Sequence, residues 1–303
     1  MPTEPAIATL SRLAAPGLGT FRGRTAVDAG VGRDRLCTLV RQGVLERLHP
    51  DVYRMTAVPR SAEQRLHAAL LWAGQSAAAA GRSAGELYRL EGVRAKVPEI
   101  VLPTNVRGRA TGIVVSHAIS ASLMVRTVRG LRVTGVEATL VRLASLLEPE
   151  AFEIAFEDAR RRRLTSAASV DAYLARFGRR GRPGVAPMRA LVAQLDPEHP
   201  ARSTLEVMTR RLLVAHGIDD FVREFPLEWN GRTYRYDFAF PLQRVILETN
   251  GRRWHDDPAD YEHDHEKWSV PGRHGYRVVF ATWDKVTRTP VQLLRELTTT
   301  IAA

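Results

Sequence analysis

The last third of the chain alternates between helical and strand spacing of its apolar residues. A helical stripe predicts an amphipathic helix over residues 203–216, which Gly217 ends. The stripe consists of Leu205, Met208, Leu212 and Leu213. Runs of β-branched, aliphatic and aromatic side chains then predict four strands, at residues 221–229, 232–240, 245–248 and 276–282. Asn230-Gly231 predicts a tight hairpin turn, and residues 258–269 and 290–301 predict helices, so the order is α-β-β-β-α-β-α.

The first 60 residues have the pattern of a small winged helix-turn-helix. A short helix is predicted over residues 24–29, a turn at Gly30-Val31-Gly32, and a second helix over residues 33–42. Residues 44–55 predict a two-strand wing that turns at His49-Pro50-Asp51.

The second of these helices separates an apolar face from a basic one. Its inner face consists of Leu36, Leu39 and Val40. Arg33, Arg35 and Arg41 can point outward to phosphates or base edges, and Arg24 begins the preceding helix. We therefore predict that residues 1–60 bind DNA through these four arginines. The alternative is a generic helical bundle.

Residues 61–195 predict a mixed α/β middle region. Helices are predicted at residues 61–72, 83–90, 139–147, 149–162, 166–177 and 186–195. Short strands are predicted at residues 99–102, 112–117, 123–128 and 131–133. The sequence Asp196-Pro197-Glu198-His199-Pro200 predicts a domain boundary, because its two prolines prevent a helix from continuing. The predicted fold class is α/β multidomain, with a third domain over residues 200–303.

The composition is that of a globular protein with two or three domains. The chain has 303 residues, of which 45% are hydrophobic. Cys37 is the only cysteine, which excludes an internal disulfide and indicates a reducing cytoplasm. No basic-then-apolar leader opens the chain, and the longest apolar stretch, near Leu66 to Ala80, is too interrupted to span a membrane. We expect a cytoplasmic protein without a membrane partner.

The net charge of +11 is distributed unevenly along the chain. Residues 1–200 contain 29 lysines and arginines against 18 acidic residues, whereas residues 201–303 contain 15 of each. The basic surplus therefore lies outside the carboxyl-terminal domain, which suggests that the first part gathers the phosphate backbone of DNA. A GC-rich genome would explain the choice of arginine over lysine but not this imbalance.

Two carboxylates occur on neighbouring strands of the predicted sheet. Asp237 lies among aromatic residues that favour strands, and Glu248 follows the apolar run Val245-Ile246-Leu247. Because side chains alternate along a strand, Glu248 and Asn250 share a face and Thr249 points away. Two carboxylates that converge suit Mg²⁺ or Mn²⁺, which bind few protein oxygens and keep places for water and phosphate. The sequence therefore predicts a metal site at Asp237 and Glu248 and metal-assisted phosphodiester chemistry.

This order of elements, with an acidic residue on the first helix and Asp…Glu on the second and third strands, resembles the restriction-endonuclease-like fold. About residues 200 to 290 resemble, more closely, an uncharacterised family related to very-short-patch-repair endonucleases. The residues that match the active site of that family are Glu206, Asp237, Glu248, Gly251, Trp254 and His255. The resemblance implies an αβββαβ core and a metal-dependent deoxyribonuclease.

The chain departs from the common pattern of these nucleases at two positions. Tyr236 stands where they often have proline, and Asn250 stands where they often have lysine. An amide can bind a metal or orient a water, but it cannot act as a general base. His255 is therefore the first candidate for the general acid or base, because histidine titrates near neutrality, and Lys267 is the second.

The amino-terminal pattern is A-x-x-x-G-V-x-x-x-x-L-x-x-L-x-x-x-G-x-L-x-R-x-x-x-x-V-Y. It is similar to the DNA-binding domain of abortive-infection type IV antitoxins, which usually have glycine where Asp51 stands. The middle region resembles the second part of the same proteins. This resemblance implies DNA as a partner and adds a toxin as a possible protein partner; a homodimer is a further partner expectation.

Several residues also have structural interpretations. Ser203-x-x-Glu206 fits a helix capping box, Asp237 fits the surface of an edge strand, and His255 fits a solvent contact. The run Arg160 to Arg163 fits either a nucleic-acid contact or a solvated helix end. A further cluster fits a solvated helix face better than a zinc site; it consists of Asp256, Asp257, Asp260, His263, Asp264 and His265.

The first predicted function is a Mg²⁺-dependent DNA endonuclease or nickase that a winged-helix domain directs to DNA. The alternative is an antitoxin-like transcriptional regulator whose nuclease fold is inactive, and Asn250 favours that alternative.

Overall fold

The computed structural model describes residues 3–106, 108–194, 203–250 and 267–303. It has a mixed α/β architecture that divides into two compact units, Met1–Gln194 and Leu195–Ala303. The division lies beside the proline-containing segment 196–200, where the sequence predicts a boundary. A further division of the first unit at residue 60 stays a prediction.

The first unit begins with three helices and a three-stranded sheet. The helices are α1 (Thr3–Ala14), α2 (Gly23–Asp28) and α3 (Arg33–Arg41), and the strands are β1 (Thr20–Arg22), β2 (Leu45–His49) and β3 (Val52–Met55). Strand β3 lies between β1 and β2 and is antiparallel to both. The predicted α2, α3 and hairpin are confirmed, whereas α1 and β1 were not predicted. Leu36 and Leu39 of α3 are buried in the core that these elements share.

The turn between β2 and β3 also supports helix α2. Asp51 has a left-handed backbone conformation with φ of 60°, which aspartate tolerates better than most residues. Its carboxylate accepts a hydrogen bond of 3.0 Å from the main-chain N–H of Arg24, in the first turn of α2. Asp51, in the turn between β2 and β3, therefore satisfies a main-chain N–H at the start of a neighbouring helix.

Helix α4 (Ala62–Ala73) joins this first part to the rest of the unit. The Arg22 guanidinium donates hydrogen bonds of 2.7 and 3.3 Å to the carbonyls of Leu71 and Trp72. Thr20 Oγ1 lies 2.6 Å from His67 Nδ1. Polar contacts therefore connect β1 with α4 across residue 60.

A five-stranded mixed sheet forms the centre of the remaining first unit. Its strands are β4 (Ala78–Ala79), β5 (Glu99–Pro103), β6 (Val114–Ala118), β7 (Arg126–Val128) and β8 (Leu131–Val133), in the order β6-β5-β4-β8-β7. The helices are α5 (Gly81–Leu87), α6 (Val136–Leu143), α7 (Pro149–Arg161), α8 (Ala167–Phe177) and α9 (Val185–Gln194). Most of these elements were predicted to within a few residues. The central strand β4 was not predicted, because two alanines carry no strand signal.

The second unit has one four-stranded sheet with helices on both faces. Its helices are α10 (Thr204–Ala215), α11 (helical in the described residues 267–273), α12 (Trp283–Thr287) and α13 (Pro290–Ala302). Its strands are β9 (Val222–Trp229), β10 (Arg232–Phe240), β11 (Val245–Asn250) and β12 (Arg277–Thr282), in the order β12-β11-β10-β9. Strand β10 pairs antiparallel with both β9 and β11, whereas β11 pairs parallel with β12.

The sheet of the second unit separates two apolar cores. On one face, side chains of α10, α12 and α13 pack against β10, β11 and β12; Phe238 and Leu247 belong to this core. On the other face, Val270 of α11 packs with Tyr236 and Ile246. None of the helices in the described residues of the chain combines the length and hydropathy needed to cross a membrane.

Candidate active site

Asp237 lies on β10 between two other acidic residues on the neighbouring strands. The β9–β10 register continues without a shift on both sides of Asp237 and puts Glu224 opposite it. The β10–β11 register, continued by one residue, puts Glu248 on its other side. All three residues are buried. Three adjacent strands therefore each contribute one buried carboxylate to the same row of the sheet.

A fourth buried carboxylate comes from the first helix of the unit. Glu206 of α10 is only 1% exposed. One carboxylate oxygen each from Glu206, Glu224 and Asp237 lie within 4.8 Å of one another. We call these three residues the carboxylate trio. Glu248 lies beside the trio but does not belong to it, so the grouping differs from the predicted ion-binding pair of Asp237 and Glu248.

Glu206 takes part in the cap of α10 through its main chain and makes an ion pair through its side chain. Its main-chain N–H donates to Ser203 Oγ at 3.1 Å, which caps the start of α10. Its carboxylate accepts a hydrogen bond of 2.8 Å from the buried guanidinium of Arg223 on β9. The cap fixes the first turn of α10. The side chain of Glu206 extends from this turn to the carboxylates of Glu224 and Asp237.

Asp237 is oriented by Thr249 on the neighbouring strand. Asp237 Oδ2 accepts a 2.8 Å hydrogen bond from the main-chain N–H of Thr249 and a second, short one from Thr249 Oγ1. Thr249 alternates with Glu248 as predicted, but the side chain of Asp237 is on the Thr249 side. The sequence puts Thr249 on the face opposite to Glu248 and Asn250, but alternation along β11 alone does not indicate that Thr249 binds the side chain of Asp237.

Glu248 is held by the main chain of Asp237 and by a lysine. Its Oε2 accepts a hydrogen bond of 3.1 Å from the Asp237 N–H, and its Oε1 forms an ion pair with Lys267 Nζ. Burial and the neighbouring Asp237 carboxylate raise the pKa of Glu248 to about 7, although Lys267 acts in the opposite direction. Glu248 therefore changes its charge near neutral pH.

Lys267 is positioned by Tyr236 on β10. The Tyr236 hydroxyl donates a hydrogen bond of 2.6 Å to the Lys267 carbonyl. Lys267 Nζ also lies 5.3 Å from the centre of the Tyr236 ring, within the range of a cation–π contact. Burial and the negative charge of Glu248 raise the pKa of Tyr236, so the hydroxyl remains a donor. Tyr236 thus fixes the lysine beside Glu248.

Among the residues that the structure describes, one further predicted site residue, Asn250, has no contact with this arrangement in the hydrogen bonds and ion pairs given above. Asn250 is exposed at the end of β11. Gly251, Trp254 and His255 lie outside the described residues, as does the acidic and histidine cluster between residues 256 and 265. Glu224 was not predicted. It has φ of 50°, and no sequence pattern around a glutamate indicates that left-handed conformation.

The arginines predicted to bind DNA differ in their exposure. Arg24, Arg33 and Arg41 are exposed, and Arg41 Nη2 lies 3.4 Å from Thr38 Oγ1. Arg35 is only half-exposed, and its Nη2 nitrogen is buried. Three of the four side chains are therefore accessible to a phosphate backbone, whereas the Nη2 of Arg35 is buried and makes no hydrogen bond within the described part of the chain.

The arginine run at the end of α7 is engaged in ion pairs within the first unit. Arg160 is buried and pairs with Glu157 at 3.0 Å. Arg161 and Arg162 pair with Asp158 at 2.9 and 3.0 Å. These contacts favour the structural interpretation of the run over a nucleic-acid contact.

The donor set of the second unit fits a hard divalent cation. Carboxylate oxygens are the ligands that Mg²⁺, Mn²⁺ and Ca²⁺ prefer, and the trio supplies one from each of three buried residues within a small volume. Neither cysteine nor histidine belongs to the trio, which disfavours zinc.

Comparisons with known proteins identify relatives in Mycobacterium tuberculosis. No family model matches the sequence. The uncharacterized protein Rv2248 of strain ATCC 25618 / H37Rv is 30% identical over 264 residues, which are 86% of this chain and 94% of the relative. The uncharacterized protein MT2308 of strain CDC 1551 / Oshkosh matches with the same identity and coverage.

Among solved structures, the crystal structure of the Rv2827c protein from the same species covers 69% of this chain and 82% of its own. The TM-score is 0.45 and the sequence identity is 21%, so this similarity supports no conclusion about the fold or the site. The match to these two relatives is stronger in both identity and coverage. The chain belongs to the family of the M. tuberculosis proteins Rv2248 and MT2308.

Proposed function

We propose that the protein is a metal-dependent DNA endonuclease or nickase whose catalytic core is restriction-endonuclease-like. The single observation that carries this proposal is the convergence of four buried carboxylates around β10: the trio and Glu248. Its amino-terminal part would be a winged helix-turn-helix that holds DNA.

The energetics of the site support a bound cation. Two like charges about 4 Å apart repel by roughly 4 kcal/mol at the effective dielectric constant of a protein surface. Burial also disfavours each ionised carboxylate. Arg223 and Lys267 offset part of this cost at Glu206 and Glu248. A divalent cation held by the trio would offset more of it.

The residues of the trio would hold Mg²⁺ or Mn²⁺. When bound, such an ion polarises a phosphoryl oxygen and lowers the pKa of a water molecule. Thr249 would fix one oxygen of Asp237 through two hydrogen bonds, which leaves the other oxygen for the ion. Arg223 would orient Glu206 in the same manner.

Glu248 would accept or release the proton that the reaction transfers, with the help of Lys267. Because the pKa of Glu248 is about 7, this carboxyl can accept or release a proton near neutral pH. Lys267 would stabilise its ionised form. Lys267 thus takes part in the acid–base step, for which His255 was the first candidate from the sequence and Lys267 the second. His255 and Asn250 remain proposals for the general acid or base and for orienting water.

DNA binding by the first unit has a separate basis. Helices α2 and α3, the turn between them and the β2–β3 hairpin follow one another in the order of a winged helix-turn-helix. Arg33 and Arg41 are exposed at the two ends of α3, and Arg24 is exposed on α2. The surplus of basic residues in the first 200 positions agrees with this role.

Cleavage of supercoiled plasmid DNA by the full chain tests the proposal. We expect nicked or linear product in Mg²⁺ or Mn²⁺ and none in excess chelator. Asp237→Asn should abolish cleavage, while Asp219→Asn, at an exposed loop position, should retain it. A second readout is the melting temperature, which Mn²⁺ should raise in the wild type but not in Asp237→Asn.

Two results would contradict the proposal. One is metal-replete protein that binds DNA normally and leaves every tested substrate intact. The other is an identical Mn²⁺-induced change in melting temperature for the wild type and Asp237→Asn, since the ion would then bind elsewhere.

The second candidate function is a DNA-binding regulator with an inactive nuclease fold, for which a toxin would be the protein partner. Asn250 favours this second function, because nucleases that the chain resembles often have a lysine at this place. A footprint on the promoter of the protein's own gene that Asp237→Asn leaves unchanged, without any cleavage, would favour this function over the first.

A further inference from the structure

A cavity of about 680 Å³ lies in the first unit, far in sequence from the acidic residues of the second. Its walls come from the start of α4, from the segment that follows α5, and from the turn between β7 and β8. Cavities that bind small molecules have volumes of roughly 300–1,000 Å³. The size therefore suits a ligand as large as a nucleotide.

One part of the cavity wall is apolar. It consists of Leu66, Leu87, Leu90, Val97 and Pro98. Val97 is the most exposed of these side chains, with 40% of its surface accessible. Such a wall can cover the face of a flat aromatic ring and exclude water from it.

The acidic residues of the cavity are already engaged by other protein groups. Glu63 pairs with Arg129 at 2.5 Å, and this ion pair joins α4 to the β7–β8 turn. The Glu86 carboxylate accepts a hydrogen bond of 3.1 Å from the Ala95 N–H. Glu91 pairs with Arg161 at 3.0 Å. The charges of Glu63 and Glu91 are therefore balanced by arginines, and the carboxylate of Glu86 is held by a main-chain N–H.

Three arginines of the cavity have no such balance. Arg65, Arg89 and Arg94 are exposed, and no ion pair is formed by their guanidinium groups within the described ranges of the chain. Arg94 Nη1 only donates to the carbonyl of the preceding Val93, at 3.3 Å. The cavity thus combines an apolar wall with three guanidinium groups that are available to an anion.

The backbone conformation at Arg89 is held by a contact with the end of α7. Arg89 has a left-handed conformation with φ of 55°, and its carbonyl accepts a hydrogen bond of 2.9 Å from Arg162 Nη1. Arg162 is itself held by Asp158 at 3.0 Å. The unusual backbone conformation is therefore maintained from α7, and it determines where the Arg89 side chain leaves the chain.

We infer that this cavity binds a nucleotide unit, with its phosphate on Arg65, Arg89 and Arg94 and its base against the apolar wall. Guanidinium groups bind phosphate oxygens through paired hydrogen bonds, and they do so better than ammonium groups. A nucleotide unit can come from a free nucleotide or from a single strand of nucleic acid. The inference does not depend on nuclease activity, because the cavity shares no residue with the carboxylate trio.

Titration calorimetry on the full chain tests the inference with ATP, inorganic pyrophosphate and a ten-residue thymidine oligonucleotide. We expect ATP or the oligonucleotide to bind, and pyrophosphate to bind at least tenfold more weakly because it has no base. Arg65→Gln and Arg89→Gln should each weaken binding about tenfold or more, which corresponds to the loss of one charge-assisted hydrogen bond. Arg180→Gln, at an exposed loop position outside the cavity, should leave the affinity unchanged.

The two probes distinguish the source of the nucleotide. ATP binding that Arg89→Gln weakens indicates a free nucleotide, and oligonucleotide binding that the same variant weakens, without ATP binding, indicates a strand. Equal affinities for pyrophosphate and ATP overturn the inference, as does unchanged affinity for both nucleotide probes in Arg65→Gln and Arg89→Gln. Because these substitutions are exposed, circular dichroism should show an unchanged fold.

Discussion

The main-chain N–H of Asp237 donates a hydrogen bond of 3.1 Å to the carboxylate of Glu248, while the Asp237 side chain itself bonds to Thr249. The two acids on neighbouring strands are thus linked through the backbone of one and the side chain of the other. Their negative charges are close enough for Asp237 to raise the pKa of Glu248. This link makes the charge state of the site sensitive to pH near neutrality.

Glu248 should make the second unit less stable as the pH rises. Its pKa is about 7 in the folded chain and 4.5 for an ordinary glutamate, so the folded state binds more protons between these values. The free energy of unfolding therefore falls with increasing pH, by about 1.4 kcal/mol per unit at most. The contribution is complete below pH 4.5 and is lost as the pH passes 7.

We expect Glu248→Gln to remove about 2 kcal/mol of the stability difference between pH 5.5 and pH 8. Urea unfolding followed by tryptophan fluorescence measures it, since four of the five tryptophans follow residue 200. Asp219→Asn is the control and should retain the wild-type pH dependence. Identical pH dependence in Glu248→Gln and the wild type would contradict the raised pKa.

Lys267 should tune the ionisation of Glu248 during cleavage. Lys267→Met removes the cation that lowers the pKa of Glu248, so the acidic limb of the pH–rate profile should move up by about one unit. Cleavage at pH 7 should fall about fivefold, because a pKa about one unit higher reduces the ionised fraction of Glu248 from about one half to about one tenth. Lys285→Met is the matched control, because Lys285 pairs with Glu296 on the surface at 2.6 Å. An unshifted profile in Lys267→Met would rule out this role.

Helix capping and metal binding at Glu206 can be separated by two substitutions. Ser203→Ala removes the hydroxyl that accepts the Glu206 N–H and should cost about 1 kcal/mol of stability with cleavage intact. Glu206→Gln retains an oxygen for Arg223 but loses the charge. We expect it to weaken Mn²⁺ binding at least tenfold, as measured by electron paramagnetic resonance of the free ion. Full Mn²⁺ affinity in Glu206→Gln would limit the role of Glu206 to capping.

The exposed arginines of α3 should contribute nonspecific affinity for DNA. Arg33→Ala and Arg41→Ala should each reduce the slope of log affinity against log salt by about 1, because each would lose one phosphate contact. Fluorescence anisotropy with a labelled duplex at several salt concentrations measures the slope. Arg180→Ala should leave it unchanged. Slopes equal to the wild type in both α3 variants would exclude this helix as a DNA contact.

Most elements could be predicted because their signals are local. Ser203 caps α10 as the S-x-x-E pattern suggests, and the Asn230-Gly231 turn has φ of 49° and 73°. Strand β10 begins and ends at the predicted residues, Arg232 and Phe240. In each case a few neighbouring residues determine the backbone conformation, so no knowledge of distant contacts is needed.

The unpredicted elements depend on partners that are distant in sequence. Strand β4 is two alanines long, and it is a strand only because β5 and β8 pair with it on either side. Strand β1 likewise exists through its pairing with β3. Neither has enough β-branched or aromatic residues for a strand prediction, because its stability comes from the sheet around it.

By itself the sequence determined the order of helices and strands in the second unit, except for the short helix α12, and put Asp237 and Glu248 on adjacent strands, because alternation and turn chemistry are properties of neighbouring residues. Only the tertiary structure decided which groups those acids contact. Glu224 joins Asp237 through strand register, Glu206 reaches them from a helix, and Lys267 arrives from α11. Such contacts depend on the packing of elements against one another, which no short stretch of sequence specifies.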